Sequence, residues 1–343
     1  MTGDRAAVPV PAPVPGPVLP LRRLGRSRVR VTELSFGGAA IGGLYHAVSD
    51  DDARAAVDAA WAGGIRTFDT APHYGLGLSE RRLGDALRHR PRADYVISTK
   101  VGRLLEPAAP GPGGTFRRDT DGFAVPARYV RRFDFSADGV RRSLAESLDR
   151  LGLDRVDLVL IHDPDDHGEQ AFREAYPALE RLRAEGAVGA IGAGMNQAAM
   201  LTRFVTDTDV DAVLVAGRYT LLDRAAAREL LPAARRRGVS VIAGGVFNSG
   251  VLAAPVDGAT YDYRAAPDEL VARARRLAEG CARFGVPLRA AAARFPLTHP
   301  AVASVLIGVR SAAEVSDALR MRALDIPDAL WDSLATVGER YRP

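Results

Sequence analysis

Four residues in the first half of the chain have the types needed to move a proton while a hydride moves: Asp69, Tyr74, Lys100 and His162. When a hydride leaves or reaches a carbon that bears oxygen, a proton must leave or reach that oxygen. A tyrosine hydroxyl can carry it if its pKa of about 10 is lowered. A neighbouring ammonium does that, so Lys100 would stabilise the phenolate, Asp69 would hold and orient the lysine, and His162 would hydrogen-bond the substrate oxygen or the tyrosine. Taken singly, each has an ordinary structural reading: Asp69 as a helix cap, Tyr74 as a loop aromatic, Lys100 as a surface residue, His162 as a polar strand end. Composition singles out one of them, because Lys100 is the only lysine among 46 lysines and arginines. A compact ammonium that can lose its proton does what a planar, permanently charged guanidinium cannot.

The elements around these residues explain why they would meet. Short runs rich in Val, Ile and Leu predict eight strands at Val31 to Gly37, Arg66 to Thr70, Tyr95 to Lys100, Val156 to His162, Val188 to Ala193, Ala212 to Ala216, Val239 to Ala243 and Ser304 to Ile307. Between them, amphipathic stretches predict helices at Asp51 to Ala62, Ser79 to Leu87, Ala137 to Leu151, Glu169 to Glu185, Gln197 to Val205, Arg224 to Arg237 and Ser311 to Leu319. Strands alternating with helices are the pattern of parallel βαβ units. Eight of them in 343 residues predict an α/β protein with a single (β/α)8 TIM barrel. No GxGxxG follows the first strand, which argues against a Rossmann domain. Asp69, Lys100 and His162 then close the second, third and fourth strands, and Tyr74 lies just beyond the second. All four face the carboxyl-end mouth, where barrels carry their chemistry. Two long connections, Arg103 to Phe135 and Asn248 to Pro267, leave the same face and are expected to cover substrate or cofactor.

Composition narrows the remaining classes. The net charge of +4 comes from basic residues interleaved with acids, which reads as solvated helix faces rather than a nucleic-acid surface. No run reaches the length of a membrane span, so no membrane association is expected. The single cysteine, Cys281, lies in a helical stretch as a small buried side chain, and this suits a reducing, cytoplasmic setting. Residues 1–20 alternate Pro with Val and Ala; they are expected to form a disordered tail ahead of a barrel at 21–343. No metal site is expected, the partner is a small-molecule substrate, and the oligomeric state is left open.

The motifs FDTAPHYG at Phe68 to Gly75, STKVGR at Ser98 to Arg103 and LVLIHDPD at Leu158 to Asp165 occur in order at strand ends. On these the chain resembles the aldo-keto reductase superfamily from Leu21 to its C-terminal region, and the resemblance assigns the catalytic tetrad to Asp69, Tyr74, Lys100 and His162. It implies a nicotinamide cofactor. The nicotinamide amide would be held at the ends of the fifth and sixth strands, where Asn196 is the candidate; Gly194 and Met195 stand in place of the usual Ser-Asn, and Ala216 in place of the usual Gln. Gly244 replaces the aromatic that often stacks on the ring, which transfers that role to Phe247.

The junction of the last strand with its helix, IGVRSAAEVSDAL at Ile307 to Leu319, offers backbone NH groups and a helix N-terminus to a phosphate, through Gly308, Arg310, Ser311 and Glu314. Glu314 stands where members preferring NADP often have a basic residue, so NAD is the expected cofactor, with NADP possible through Arg310. The segments DGFAVPARYVRRFDFSADGVRRSL, GRYTLLD and FNSG resemble the sugar-oxidising branch of L-fucose and D-threo-aldose 1-dehydrogenases. The expected reaction is oxidation of an aldose at its anomeric carbon to a lactone, with Tyr45, His46, His73, Arg103, Arg128 and Tyr129 as candidate sugar contacts. The competing readings are an NADPH-linked carbonyl reductase of a biosynthetic pathway, a pyridoxal 4-dehydrogenase, and a non-catalytic barrel that binds the cofactor and senses redox state.

Overall fold

The computed structural model describes residues 18–262 and 264–338. Eight parallel strands close a barrel: β1 Leu34–Gly37, β2 Thr67–Asp69, β3 Val96–Val101, β4 Leu158–His162, β5 Ala190–Met195, β6 Ala212–Ala216, β7 Ser240–Gly244 and β8 Val302–Gly308, with β8 pairing back onto β1. Each lies where the apolar runs predict a strand. The expected first strand is divided, however. Arg30–Thr32 pairs antiparallel with Leu21–Arg23, and only the residues after Glu33 enter the barrel. That hairpin plugs the amino end: Leu24 and Val31 pack with Leu158, Leu160, Ala190, Ala212 and Ala303, so the apolar interior is shut off from water at the face opposite the site.

The helices are α1 Asp50–Ala62, α2 Leu78–Leu87, α3 Ala137–Leu151, α4 Tyr176–Ala184, α5 Ala198–Asp207, α6 Leu230–Arg237, α7 Asp268–Ala282, α8 Leu288–Arg294, α9 Ala312–Ala323 and α10 Asp328–Gly338. Two of the expected helices are shorter than their periodicity suggests. Glu169 to Glu185 begins as a single turn and a π-helical stretch, Ala171–Ala175, before α4. Pro177 accounts for this: it has no N–H to donate, and its ring crowds the carbonyl four residues back. Arg224 to Arg237 is a 3-10 turn, Ala225–Ala227, followed by α6, with Pro232 confined to its first turn. Helices α7, α8 and α10 add a second apolar cluster beside the barrel in which Cys281 is fully buried, its thiol pushed up to about 11 by that burial.

Most of the expected tail, residues 1–17, lies outside the described residues. Its last part belongs to the barrel: the Leu19 N–H donates to the Gly64 carbonyl (3.2 Å), and the Pro20 carbonyl accepts from the Glu33 N–H (2.9 Å). Of the two long connections, the first is a built structure. Arg103–Pro107 and Tyr129–Phe133 form an antiparallel hairpin, entered through Gly102 at φ 104°, where a Cβ would fall 2.1 Å from the Phe135 ring. Only glycine fits that corner. The second connection carries a two-residue pairing of Thr260–Tyr261 with Arg264–Ala265. No described helix is long and apolar enough to cross a membrane.

Candidate active site

Strand alternation sorts the side chains of β3. Thr99 points outward and donates to Glu80 (2.8 Å), which also pairs with Arg150 of α3 (2.5 Å); this locks β3 against α2 and α3. Ser98 and Lys100 point into the barrel. The Ser98 hydroxyl donates to Asp69 Oδ1 (2.6 Å), and Lys100 Nζ donates to Asp69 Oδ2 (2.6 Å) and the Thr70 carbonyl (3.0 Å). Lys100 is only 1% exposed. Opposite it lies Gly194, where an added Cβ would make only an ordinary contact, 3.6 Å from Lys100 Cε.

Tyr74 is set by its loop. Its N–H donates to the Ala71 carbonyl, its own carbonyl accepts from Ser79, and Gly75 at φ 62° lies so close to Gly42 that a Cβ would fall 2.1 Å from that carbonyl oxygen. The ring sits with its centroid 4.7 Å from Lys100 Nζ, 5.8 Å from the His162 ring and perpendicular to it, and 6.0 Å from the His73 ring. The tetrad is thus assembled.

Its electrostatics differ from the expectation in one respect. Burial pushes the Tyr74 phenol above its ordinary value; Lys100 pulls it down without cancelling that cost, and Asp69 works against the lysine. Burial also works against the Lys100 ammonium, but Asp69 and then Tyr74 outweigh it and hold its pKa at about 12. The lysine is therefore a fixed positive charge, shared with Asp69, rather than a group that releases a proton. Both histidines are neutral: burial first, then Arg103 and other cations, pushes His73 down to about 2 and holds His162 well below the usual histidine range. His162 Nε2 lies 3.4 Å from Asp163 Oδ2, while its Nδ1 is buried without a partner. A carboxylate can only accept, so the imidazole proton belongs on Nε2, and His162 is a hydrogen-bond donor toward the cavity.

A cavity of about 390 Å³ opens in front of the tetrad, lined by Tyr74, Lys100 and His162 together with His73, Arg103, Asp121, Asp163, Phe123, Leu44 and Asn196. It runs into a groove of about 990 Å³ that passes Ala216, Gly244, Phe247 and Asn248 and ends at Gly308, Arg310, Glu314, Arg289 and Asp317. Of the expected sugar contacts, His73 and Arg103 line the cavity, whereas Tyr45 and His46 line the groove. Arg128 and Tyr129 line neither. Arg128 is exposed over the Phe116 ring, and Tyr129 packs in the small apolar cluster of Leu76, Leu105 and Phe123. It is Arg131, farther along the hairpin, that turns inward to bind Asp119 (2.6 Å) and the His73 carbonyl (3.0 Å). Asp121 and Asp163 are additional; the strongest sequence sign of the latter is its place in the HDPD motif.

The groove suits a nicotinamide dinucleotide. Its floor is glycine-rich, and the buried Asn248 side chain donates to the Gly217 carbonyl (3.1 Å) while its Oδ1 has no partner, an acceptor left open for an amide or ribose donor. Asn196 lies where cavity and groove meet, and Phe247 lines the groove while packing against both apolar clusters. Gly308, Arg310 and Glu314 would receive the far end. Ser311 serves as the N-cap of α9, accepting from the Glu314 N–H, and does not line the groove.

Comparison with known proteins agrees with this geometry. The family model described as Aldo/keto reductase family matches residues 33–339. A D-threo-aldose 1-dehydrogenase from a Pseudomonas species is 47% identical over 89% of this chain and 93% of its own length. A pyridoxal 4-dehydrogenase from Microbacterium luteolum is 42% identical over 92% and 97%. The holo form of an aldo-keto reductase from Bacillus halodurans superposes with a TM-score of 0.73 at 25% identity, covering 94% of this chain and 97% of that one. A closed parallel barrel, a buried Asp–Lys pair beside a tyrosine and a histidine, and a family match across nearly the whole chain lead to one conclusion: the chain belongs to the aldo/keto reductase family and is an NAD(P)-dependent oxidoreductase.

Proposed function

We propose that the protein oxidises an aldose of the L-fucose kind at its anomeric carbon to the lactone, with NAD preferred to NADP. The observation that carries this reading is the lining of the cavity. Arg103, Asp121, Asp163, His73 and Asn196 surround the space in front of Tyr74 and His162, supplying donors and acceptors on several sides. Sugar hydroxyls need such partners, whereas an apolar ketone would leave them unpaired. The substrates named for the two relatives share one chemistry: an aldose and pyridoxal each have an aldehyde that closes on an internal hydroxyl to give a cyclic hemiacetal.

Oxidation of a hemiacetal removes the hydrogen on carbon as hydride and the hydroxyl hydrogen as a proton, leaving a lactone. A bound nicotinamide supplies the hydride acceptor. His162 Nε2–H fixes the reacting oxygen, Tyr74 exchanges its proton, and Lys100, neutralised in part by Asp69, stabilises the phenolate that takes it up. The test is the initial rate with L-fucose, D-arabinose and L-galactose beside pyridoxal and a set of aromatic ketones, with both cofactors. The expected result is fastest turnover of a sugar with NAD. Faster pyridoxal oxidation moves the assignment to that substrate, and ketone reduction with NADPH that outruns every sugar by orders of magnitude replaces it with a carbonyl reductase. A barrel that binds cofactor and turns over none of these is a redox sensor.

The cofactor preference rests on the far end of the groove. Arg310 donates through its backbone N–H and its guanidinium to the Glu314 carboxylate (2.8 and 3.0 Å), and Arg289 pairs with Asp317 (2.8 Å). Both arginines are thus already committed to acids, and a 2′-phosphate would have to compete with a carboxylate for either of them. A ribose diol meets no such competition. Wild type is expected to favour NAD in kcat/KM by about tenfold or more, and Glu314→Ala, which frees Arg310, to shift the ratio toward NADP by about 10- to 100-fold, the range of a charge-assisted hydrogen bond. A clear NADP preference in wild type would mean that Arg310 sets the selectivity.

A further inference from the structure

Asp163 follows the histidine of the tetrad and has a feature that neither the tetrad nor the fold requires: a non-glycine backbone at φ 41°. Left-handed backbone is uncommon for a residue with a Cβ, and it persists where local hydrogen bonds and the surroundings hold it in place. Here the N–H of Asp163 donates to the Gly194 carbonyl (3.0 Å), and the turn brings the carboxylate back over the cavity instead of out to solvent. Its Oδ2 faces two cavity groups at once, Arg103 Nη2 and, at 3.4 Å, His162 Nε2. Among the described residues nothing donates to Oδ1. Arg103 is only 11% exposed, stacks on the Phe133 ring and has a buried Nε with no hydrogen-bond partner. The pair therefore offers one acceptor and one donor, unused by the protein, beside the histidine that holds the reacting oxygen.

We propose that Asp163 and Arg103 form the subsite that reads the hydroxyl on the carbon next to the reacting carbon, making an α-hydroxy hemiacetal or α-hydroxy carbonyl the preferred substrate. The geometry sets the position. The reacting oxygen lies on His162 Nε2–H, and a hydroxyl on the adjacent carbon lies within about one hydrogen-bond length of that oxygen. That is the region the Asp163 carboxylate occupies, 3.4 Å from Nε2. The substrate hydroxyl donates a hydrogen bond to the Asp163 carboxylate, and Arg103 donates one to the hydroxyl oxygen. A substrate lacking the group leaves a partly buried charged pair without its full set of partners, which is how such a site rejects it. Asp163 is thus a specificity-determining residue.

This rests on the sugar-oxidation reading, and the experiment separates the two. The ratio of kcat/KM for D-arabinose to that for 2-deoxy-D-erythro-pentose, which differs in lacking the 2-hydroxyl, is measured in wild type and in Asp163→Asn. Asparagine tolerates the left-handed backbone and keeps the shape while removing the charge. A parallel pair, glycolaldehyde against acetaldehyde, is run in the reductive direction. The wild-type ratio is expected at about 10 to 100, the worth of a hydrogen bond to a charged group, and it should fall toward one in Asp163→Asn. A role confined to holding the loop or orienting His162 would lower both members of each pair alike, so a ratio unchanged by the substitution overturns the proposal. If no aldose is oxidised, the sugar reading fails and the aldehyde pair decides: loss of the glycolaldehyde preference in the variant upholds the subsite, and its persistence overturns it. Turnover of none of the four overturns both.

Discussion

Tyr74→Phe is expected to lose about 100- to 10,000-fold in turnover, the usual worth of general acid–base catalysis, while still binding nicotinamide cofactor. The substitution removes one hydroxyl and leaves the ring that packs against Phe123 and faces Lys100 and His162. The same residue predicts a pH dependence with opposite signs in the two directions. Burial raises the phenol, so Tyr74 is neutral across the neutral range. Reduction needs that neutral form as an acid and is expected to hold its rate through neutrality. Oxidation needs the deprotonated form, whose fraction rises about tenfold per pH unit below the phenol's pKa; the oxidative rate is therefore expected to climb toward alkaline pH. Lys100, held near 12, keeps its charge over that interval. Steady-state rates between neutral and alkaline pH, with cofactor binding followed by fluorescence, check both statements. Near-full turnover in Tyr74→Phe, or an alkaline rise that survives the substitution, would remove Tyr74 from its role.

At Lys100 the expected losses include stability as well as rate. Lys100→Met leaves Asp69 as a buried carboxylate with Ser98 as its remaining side-chain donor, and breaking a buried pair in this way costs about 3–5 kcal/mol. Lys100→Arg keeps the charge but has to fit a guanidinium into a slot walled by Asp69, Thr70 and the backbone at Gly194. The expected cost is about 1–3 kcal/mol for overpacking, with turnover reduced about 100-fold or more because the charge no longer sits beside the Tyr74 ring. The double variant Asp69→Asn/Lys100→Met separates the two effects. Removing both charges relieves the unpaired carboxylate and should recover much of the stability lost in Lys100→Met, whereas turnover stays low because the phenolate has lost its counter-charge. Chemical denaturation and turnover measured on the three variants give the comparison. Lys100→Arg with wild-type activity would show that any cation at this position serves.

The sole lysine and the ends of the apolar runs make the grouping of Asp69, Tyr74, Lys100 and His162 legible in the sequence. In a closed parallel barrel all strands end on one face, so a residue's place at a strand terminus fixes the side of the molecule on which it lies. That argument does not reach the loops. Arg128 and Tyr129 were plausible sugar contacts by composition, yet strand pairing from Arg103 to Phe133 turned Arg131 inward and left Arg128 exposed. A hairpin fixes which of its alternating side chains face the cavity only once its register is set, and register depends on partners distant in sequence. The charge state of Tyr74 escaped for a similar reason. The attraction of Lys100 can be inferred from residue types, but the opposing desolvation depends on how deeply the ring is buried, and that is a property of the packed site.

By itself, then, the sequence determined the eight-strand order and the gathering of Asp69, Tyr74, Lys100 and His162 at one face of the barrel. These follow from periodicity and residue type, which are local. Tertiary structure decided that Arg310 is already engaged by Glu314, that Asn248 leaves an open acceptor in the groove, and that Asp163 turns back on itself to place a carboxylate beside His162. Each of these is a distance between atoms of separate segments or the outcome of a local bend. Such distances are set by the balance of packing, desolvation and hydrogen bonding over the whole folded chain.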